Sequence, residues 1–349
     1  FVITICNLRL RELMSTTYRD FMNSIIAESR KNNVPYIGNI ELTGCCNLAC
    51  EMCYVIHEIG GRDLSTAEWN TLLEDAAKAG MGEAYLSGGE PLLREDFEEI
   101  YCKLYDQGVR IMVITNGLLF DTRIINFMKR RPPEGISITL YGCNNDTYHK
   151  ITHCKNGYDK VSNSIQLIKD NHLPLSLKVP ALKPLRGYYH EIKKMADKND
   201  ATITLGKYIS PIRGCNTCTS DWRMAAKEIK ELALLIEGDQ SYIYAPQKRT
   251  GKIADCNWGN GRFAICYDGR MTGCLSYTEI FTDPLKEGFK PALERLRKLK
   301  AVQSTSCNTC DSCHFAQNCS MCPGINYAET GSLKLCSEYR KSLAQHHVL

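Results

Sequence analysis

Between residues 39 and 210 the sequence switches repeatedly between two hydrophobic periods. Short runs with strand character lie at Asn39–Thr43, Glu83–Ser87, Arg110–Thr115, Ile136–Tyr141, Leu175–Pro180 and Thr202–Tyr208. Between them lie stretches of helical period. STAEWNTLLEDAAKAG offers Ser65 or Thr66 as a cap and Gly80 as a stop, and REDFEEIYCKLYDQG closes on Gly108. Repeated β–α units joined by right-handed crossovers give a parallel α/β sheet. Six units predict a partial (β/α)6 barrel, with an open doubly wound sheet as the rival. Residues 1–38 precede this barrel, which is expected over 39–210. A connecting helix and loop follow over 211–255, and the β/α alternation ends at Cys256, where a second, cysteine-rich domain (256–349) begins.

Cysteine is the anomaly, with 19 in 349 residues. The number is odd, and the chain is long for a disulfide-stapled domain, so metal ligation in a reducing cytoplasm fits better. Four of the thiols fall within GCCNLACEMCYV (44–55). Cys46, Cys50 and Cys53 have the spacing C-x3-C-x2-C on a loop that follows a strand and precedes a helix. Active sites of β/α barrels lie at that end of the strands. Iron–sulfur clusters usually take four cysteine thiolates, so three leave one iron open to a small molecule. Zinc more often uses two CxxC pairs or a Cys/His mixture. Cys45 is out of register and reads as a small loop residue. The net charge of +4 is too small to argue for nucleic acid or an anionic membrane, and no apolar run is long enough to span a bilayer.

The next strands end in LSGGEP (86–91), ITNG (114–117) and SITLYG (137–142). With the cysteine loop, these motifs resemble the radical SAM superfamily. Met52 stands where an aromatic residue usually precedes the last cysteine, and Tyr141-Gly142 stands where many relatives have Asp-Gly. The resemblance implies a [4Fe–4S] cluster on Cys46, Cys50 and Cys53, which chelates S-adenosylmethionine (SAM) and cleaves it reductively to a 5′-deoxyadenosyl radical. Gly88, Gly89 and Glu90 would receive the amino group of SAM. Thr115, Asn116, Ser137 and Thr139 would meet its ribose or carboxylate.

The C-terminal part resembles the SPASM domain of peptide-modifying radical SAM enzymes. Cys256, Gly269 and Cys274 match C-x(9–15)-G-x4-C, with Gly269 in a YDGR hairpin turn. Cys310, Cys313, Cys319, Cys322 and Cys336 follow. By that resemblance Cys310, Cys313, Cys319 and Cys336 hold one auxiliary [4Fe–4S] cluster and Cys256, Cys274 and Cys322 the other, three clusters in all. The fourth ligand of the latter is open among Cys266, Cys215, Cys218 and Cys307. It is also expected that this iron stays free for a substrate thiolate.

The implied activity is maturation of a small ribosomal precursor peptide by hydrogen abstraction and cross-linking, a thioether first. A flavodoxin or ferredoxin would supply electrons. Residues 1–38 are too short for a leader-binding domain, which points to a separate leader-binding protein. Formylglycine formation in sulfatases is the runner-up, but the residue after Cys274 is Leu275, where an acidic base is expected. Peptide epimerisation needs a thiol hydrogen donor, and Cys143, Cys154 and Cys266 are unassigned. A plain electron carrier would have no use for an open iron.

Overall fold

The computed structural model describes residues 18–55, 62–213, 219–238, 256, 258–302, 310, 312–319 and 322–348. The helix α1 (Tyr18–Lys31) leads into β1 (Ile37–Glu41), α2 (Thr66–Lys78), β2 (Glu83–Ser87), α3 (Phe97–Tyr105), β3 (Arg110–Thr115) and α4 (Thr122–Arg130). Then come β4 (Gly135–Thr139), α5 (Asn145–Thr152), α6 (Gly157–Asp170), β5 (Leu175–Pro180), α7 (Tyr189–Lys198), β6 (Thr202–Gly206) and α8 (Ala226–Glu237). The C-terminal part holds β7 (Arg262–Ile265), β8 (Met271–Cys274), β9 (Tyr277–Thr282), α9 (Pro284–Glu287), α10 (Phe289–Val302), α11 (Pro323–Thr330) and α12 (Glu338–Gln345).

Three of the six expected strands have the bounds read from sequence. The others differ by one or two residues at their ends, where the chain turns into a loop. Ser65 is the cap of α2. It shares a reciprocal capping box with Glu68, and Gly80 follows the helix at φ +110°.

One nine-stranded sheet runs in the order β6-β5-β4-β3-β2-β1-β7-β8-β9. β1 to β6 are parallel, which makes the fold a partial (β/α)6 barrel. β7 also pairs parallel with β1 on its other side, and β8 and β9 extend the sheet as an antiparallel meander. The convex face is apolar: Ile111, Val113, Ile136, Ile138, Leu177 and Val179 are buried against the helices. The alternate residues face the concave side, as the period-2 pleat requires. Asn39, Tyr85, Ile114, Ser137, Thr139, Ser176 and Lys178 are among them, all at least partly accessible. At the N-terminal end of the strands, Arg110 bonds Glu83 at 2.9 Å and Glu134 at 2.6 Å, and α1 is tied on through Tyr18.

Candidate active site

β1 delivers the chain to the C-terminal end of the barrel, where a polar frame holds the cysteine loop. Asp63 accepts from the Gly44 amide at 2.9 Å and from the Thr43 hydroxyl. Arg94 donates to the carbonyls of Leu42 and Leu64 and is paired with Asp96. Farther along, the Ala49 amide bonds the Thr152 carbonyl at the end of α5. Cys46, Cys50 and Cys53 are each partly buried, whereas Cys45 is exposed. Burial pushes all three thiols above their ordinary range. Cys46 and Cys50 also feel the charge that the neighbouring thiolates would carry. Thiols gathered in this way resist ionisation unless a cation takes the charge, and metal binding deprotonates them. Tyr141 packs against the same thiols and hydrogen-bonds to Cys50.

The LSGGEP loop grips this loop from β2. The Gly89 amide donates to Thr43 O at 2.7 Å and the Glu90 amide to Cys45 O at 2.8 Å. Gly88 has φ +146°, and a Cβ there would stand 2.5 Å from Thr43 O. A Cβ on Gly89 would stand 2.1 Å from Cys45 O. Both glycines are thus required by backbone-to-backbone approach. Glu90 is fully buried. Its carboxylate accepts from Leu92 N–H at 3.1 Å, the Thr115 hydroxyl at 2.8 Å and Asn116 N–H at 2.7 Å. Burial outweighs these bonds and raises its pKa to about 7. Glu90 therefore straps the end of β3 to the loop after β2. Asn116 reaches onward to Asn47 Oδ1 at 2.7 Å and Cys46 Sγ at 3.8 Å. Ser137 and Thr139 lie on the concave face of β4.

Sequence reasoning missed a charged pair beside this loop. Glu41, fully buried at the end of β1, accepts both arms of Arg213 at 2.6 and 3.0 Å. The Arg213 guanidinium lies 5.2 Å from the Tyr54 ring centre, and its charge reaches Cys53 and Cys266. A glutamate between Ile40 and Leu42 in NIELT was the only signal.

The C-terminal cysteines fall into two groups. Cys274 is pushed up to about 12 by burial, with Cys322 and Cys256 as its nearest like charges. Cys310, Cys313, Cys319 and Cys336 line one small pocket with Phe315 and Ala316. Cys266, one residue past β7, is buried beside Glu41 and Arg213 on the barrel side, apart from the Cys274 group. Cys143 lies on the loop before α5, with Glu191 as its nearest charge. Cys215, Cys218 and Cys307 lie outside the described residues. Among the described residues no three Cys, His, Asp or Glu side chains converge on a single-ion site. A cubane asks for a wider spread, because each thiolate binds its own iron. No helix among the described residues is long and apolar enough to cross a membrane.

A cleft of about 430 Å³ opens between the two regions. Tyr54 and Arg213 line it from the barrel, and Leu275, Tyr277, Glu279 and Tyr327 line it from the C-terminal part.

Residues 40–183 match the family model of the Radical SAM superfamily. The chain carries a radical SAM domain over these residues. It is similar to a PqqA peptide cyclase of Granulibacter bethesdensis, 28% identical over 139 residues, 39% of this chain and 37% of that protein. It is similar also to an S-adenosylmethionine-dependent nucleotide dehydratase of Selenomonas ruminantium, 31% identical over 156 residues, 41% of this chain and 55% of that protein. The chain thus aligns with about half or less of these relatives' length. In fold it is similar to Streptococcus suis SuiB bound to S-adenosylmethionine, with TM-score 0.70, 14% identity, and 99% and 88% of the two chains covered. SuiB bound to its precursor peptide SuiA gives a TM-score of 0.68, at 13% identity and with 99% and 88% covered. Native anSMEcpe with bound AdoMet also gives 0.68, at 14% identity and with 90% and 96% covered. The family's cofactors are a [4Fe–4S] cluster and SAM. The residues present fit them: three clustered, partly buried thiols on one loop, beside glycines that bring two backbones together at the mouth of the barrel.

Proposed function

We propose that this radical SAM enzyme matures a ribosomally made peptide by forming a thioether cross-link, using the SAM-binding cluster and two auxiliary clusters. One observation carries the reading: the cleft lies between the Cys53–Tyr54 end of the first cysteine loop and the Cys274–Leu275 hairpin. A substrate seated there touches Tyr54, next to Cys53, on one side and Leu275, next to Cys274, on the other. A sequence relative named as a peptide cyclase and a fold neighbour solved with its precursor peptide support a peptide as substrate.

When bound, the first cluster and SAM supply a carbon-centred radical that abstracts hydrogen. This chain's own residues supply position and shelter. Glu90 holds the β2 and β3 ends together, and Arg213 neutralises Glu41 in a buried wall. Cys46, Cys50 and Cys53 would hold the first cluster, with Gly88, Gly89, Glu90, Thr115, Asn116, Ser137 and Thr139 around SAM. Cys256, Cys274 and Cys322 would hold the nearer auxiliary cluster and Cys310, Cys313, Cys319 and Cys336 the other. Cys266 lies on the barrel side of the hairpin, which favours a three-cysteine set that leaves room for a substrate thiol. Leu275 lines the cleft, and an apolar side chain there cannot serve as the base of formylglycine formation.

The test is coproduction with any small cysteine-containing peptide found encoded beside the gene, under anaerobic conditions with a flavodoxin or ferredoxin reductant. A peptide that has lost two hydrogens and one alkylatable thiol supports the reading. An unchanged mass with a free thiol, while SAM is still cleaved, refutes it.

A further inference from the structure

Near the C-terminal end of β4, the concave face carries a cation that the chemistry above does not use. Lys178 sits in β5 opposite Thr139 of β4 and Thr204 of β6. Its alternation with the buried Leu177 and Val179 directs it into the barrel. The side chain is accessible within that concavity yet hemmed in by protein, and desolvation alone lowers its pKa. No acid group among the described residues offsets that penalty. The other charges near this mouth are already satisfied among the described residues. Glu41 is held by Arg213, Glu90 is saturated by three donors, and Lys207 pairs with Glu237 at 2.9 Å. Lys178 has no ion pair among the described residues. A lysine exposed on this inner wall, with no partner acid among the described residues, favours an anion arriving from outside.

The direction of the stem indicates which anion. Cε of Lys178 lies 3.3 Å from where a Cβ on Gly206 would stand. The stem therefore passes over β6 and away from β4 and the cysteine loop. The residues that follow β6, Ser210 to Arg213, form one wall of the cleft. Gly206 leaves the space the stem occupies.

We infer that Lys178 is a specificity residue that receives a carboxylate of the peptide substrate, so that the enzyme selects peptides with an acidic side chain near the modified residue. The inference rests on the peptide reading above and adds a substrate class to it. Lys178 would bind the acid as a point charge at the wall of the barrel, one strand beyond the residues assigned to SAM.

The experiment footprints Lys178 in the anaerobically reconstituted enzyme with an N-hydroxysuccinimide acetate, read by peptide mass spectrometry. The reaction is run with SAM alone, with SAM and millimolar blocked Gly-Glu-Cys-Glu-Gly, and with SAM and the twin in which both Glu are Gln. The expected result is acetylation of Lys178 slowed about tenfold by the acidic peptide only, the protection expected at about ten times its Kd. Full protection by SAM alone would assign the lysine to the cofactor's carboxylate and overturn the inference. Equal protection by the neutral twin, or protection by neither peptide, would also overturn it. Labelling uses the native chain, so no variant has to fold. The maturase reading is judged separately, by the mass of the coproduced peptide, and either idea can fail while the other stands.

Discussion

Gly89→Ala tests whether the GGE glycines act by holding two loops together. The added Cβ would sit 2.1 Å from Cys45 O, 2.5 Å from Cys45 C and 2.9 Å from Gly44 O, all backbone atoms. Real contacts begin at about 3.0 Å, so the two loops must part by about 1 Å. That separation breaks or stretches the Gly89–Thr43 and Glu90–Cys45 hydrogen bonds, each worth ~1 kcal/mol, and overpacking adds ~1–3 kcal/mol. A displacement of ~1 Å at the reacting centre costs on the order of 10²-fold in rate. The variant should therefore form 5′-deoxyadenosine about 10²-fold more slowly, and the auxiliary cysteines should keep their iron. The assay is anaerobic reduction with dithionite, chromatography of 5′-deoxyadenosine and iron analysis of the same sample. Gly108→Ala is the control. It has φ +75° but nothing within 4 Å of the new Cβ, so it should lose stability and no cleavage. Wild-type cleavage by Gly89→Ala would refute the loop-clamp argument.

Changing Cys46, Cys50 and Cys53 together to Ala should abolish 5′-deoxyadenosine and lower iron by about a third, one of the three clusters proposed above. Cys45→Ala should leave both unchanged. Glu90→Gln should flatten a pH dependence in the stability of the iron-free protein. The folded pKa of about 7 lies above the usual 4.5, so the wild type is stabilised at low pH and loses that contribution, on the order of 3 kcal/mol, as pH rises from 4.5 to 7. Urea unfolding at both ends of that window checks it, and equal slopes for the two proteins would disprove it. Gly273→Ala should strip iron from the C-terminal part while the first cluster remains, because its Cβ would fall 1.1 Å from the Trp258 indole, next to Cys274. Cluster-specific EPR decides, and an unchanged auxiliary signal would contradict the packing.

The barrel was legible because its signals are local. Period, caps and turn glycines sit inside each β–α unit, and the cysteine motif lies within a single loop. The roles of Gly88 and Gly89 were legible only in part. Their spacing marks a ligand loop, while the close approach to Thr43 and Cys45 is a contact across 45 residues that no local pattern encodes. The Arg213–Glu41 pair joins residues 172 apart, and Arg213 sits before the connecting helix, in a stretch without a periodic pattern. Tyr141 was read as a departure from Asp, and only packing reveals that its hydroxyl meets Cys50. The addition of β7 to the barrel sheet was hidden for a related reason. RFAI reads equally well as one arm of a hairpin, which it also is, and parallel partners leave no mark in the sequence between them.

That strand has a consequence for modularity. β7 covers the flank of β1 that β2 leaves open, and β1 is the strand that carries the cysteine loop. A fragment ending before residue 256 would present β1 as a naked edge, its unpaired amides and carbonyls ready to recruit another chain. The cysteine-rich tail is thus a stave of the barrel, and the flank of β1 is closed only when both parts are present in one chain.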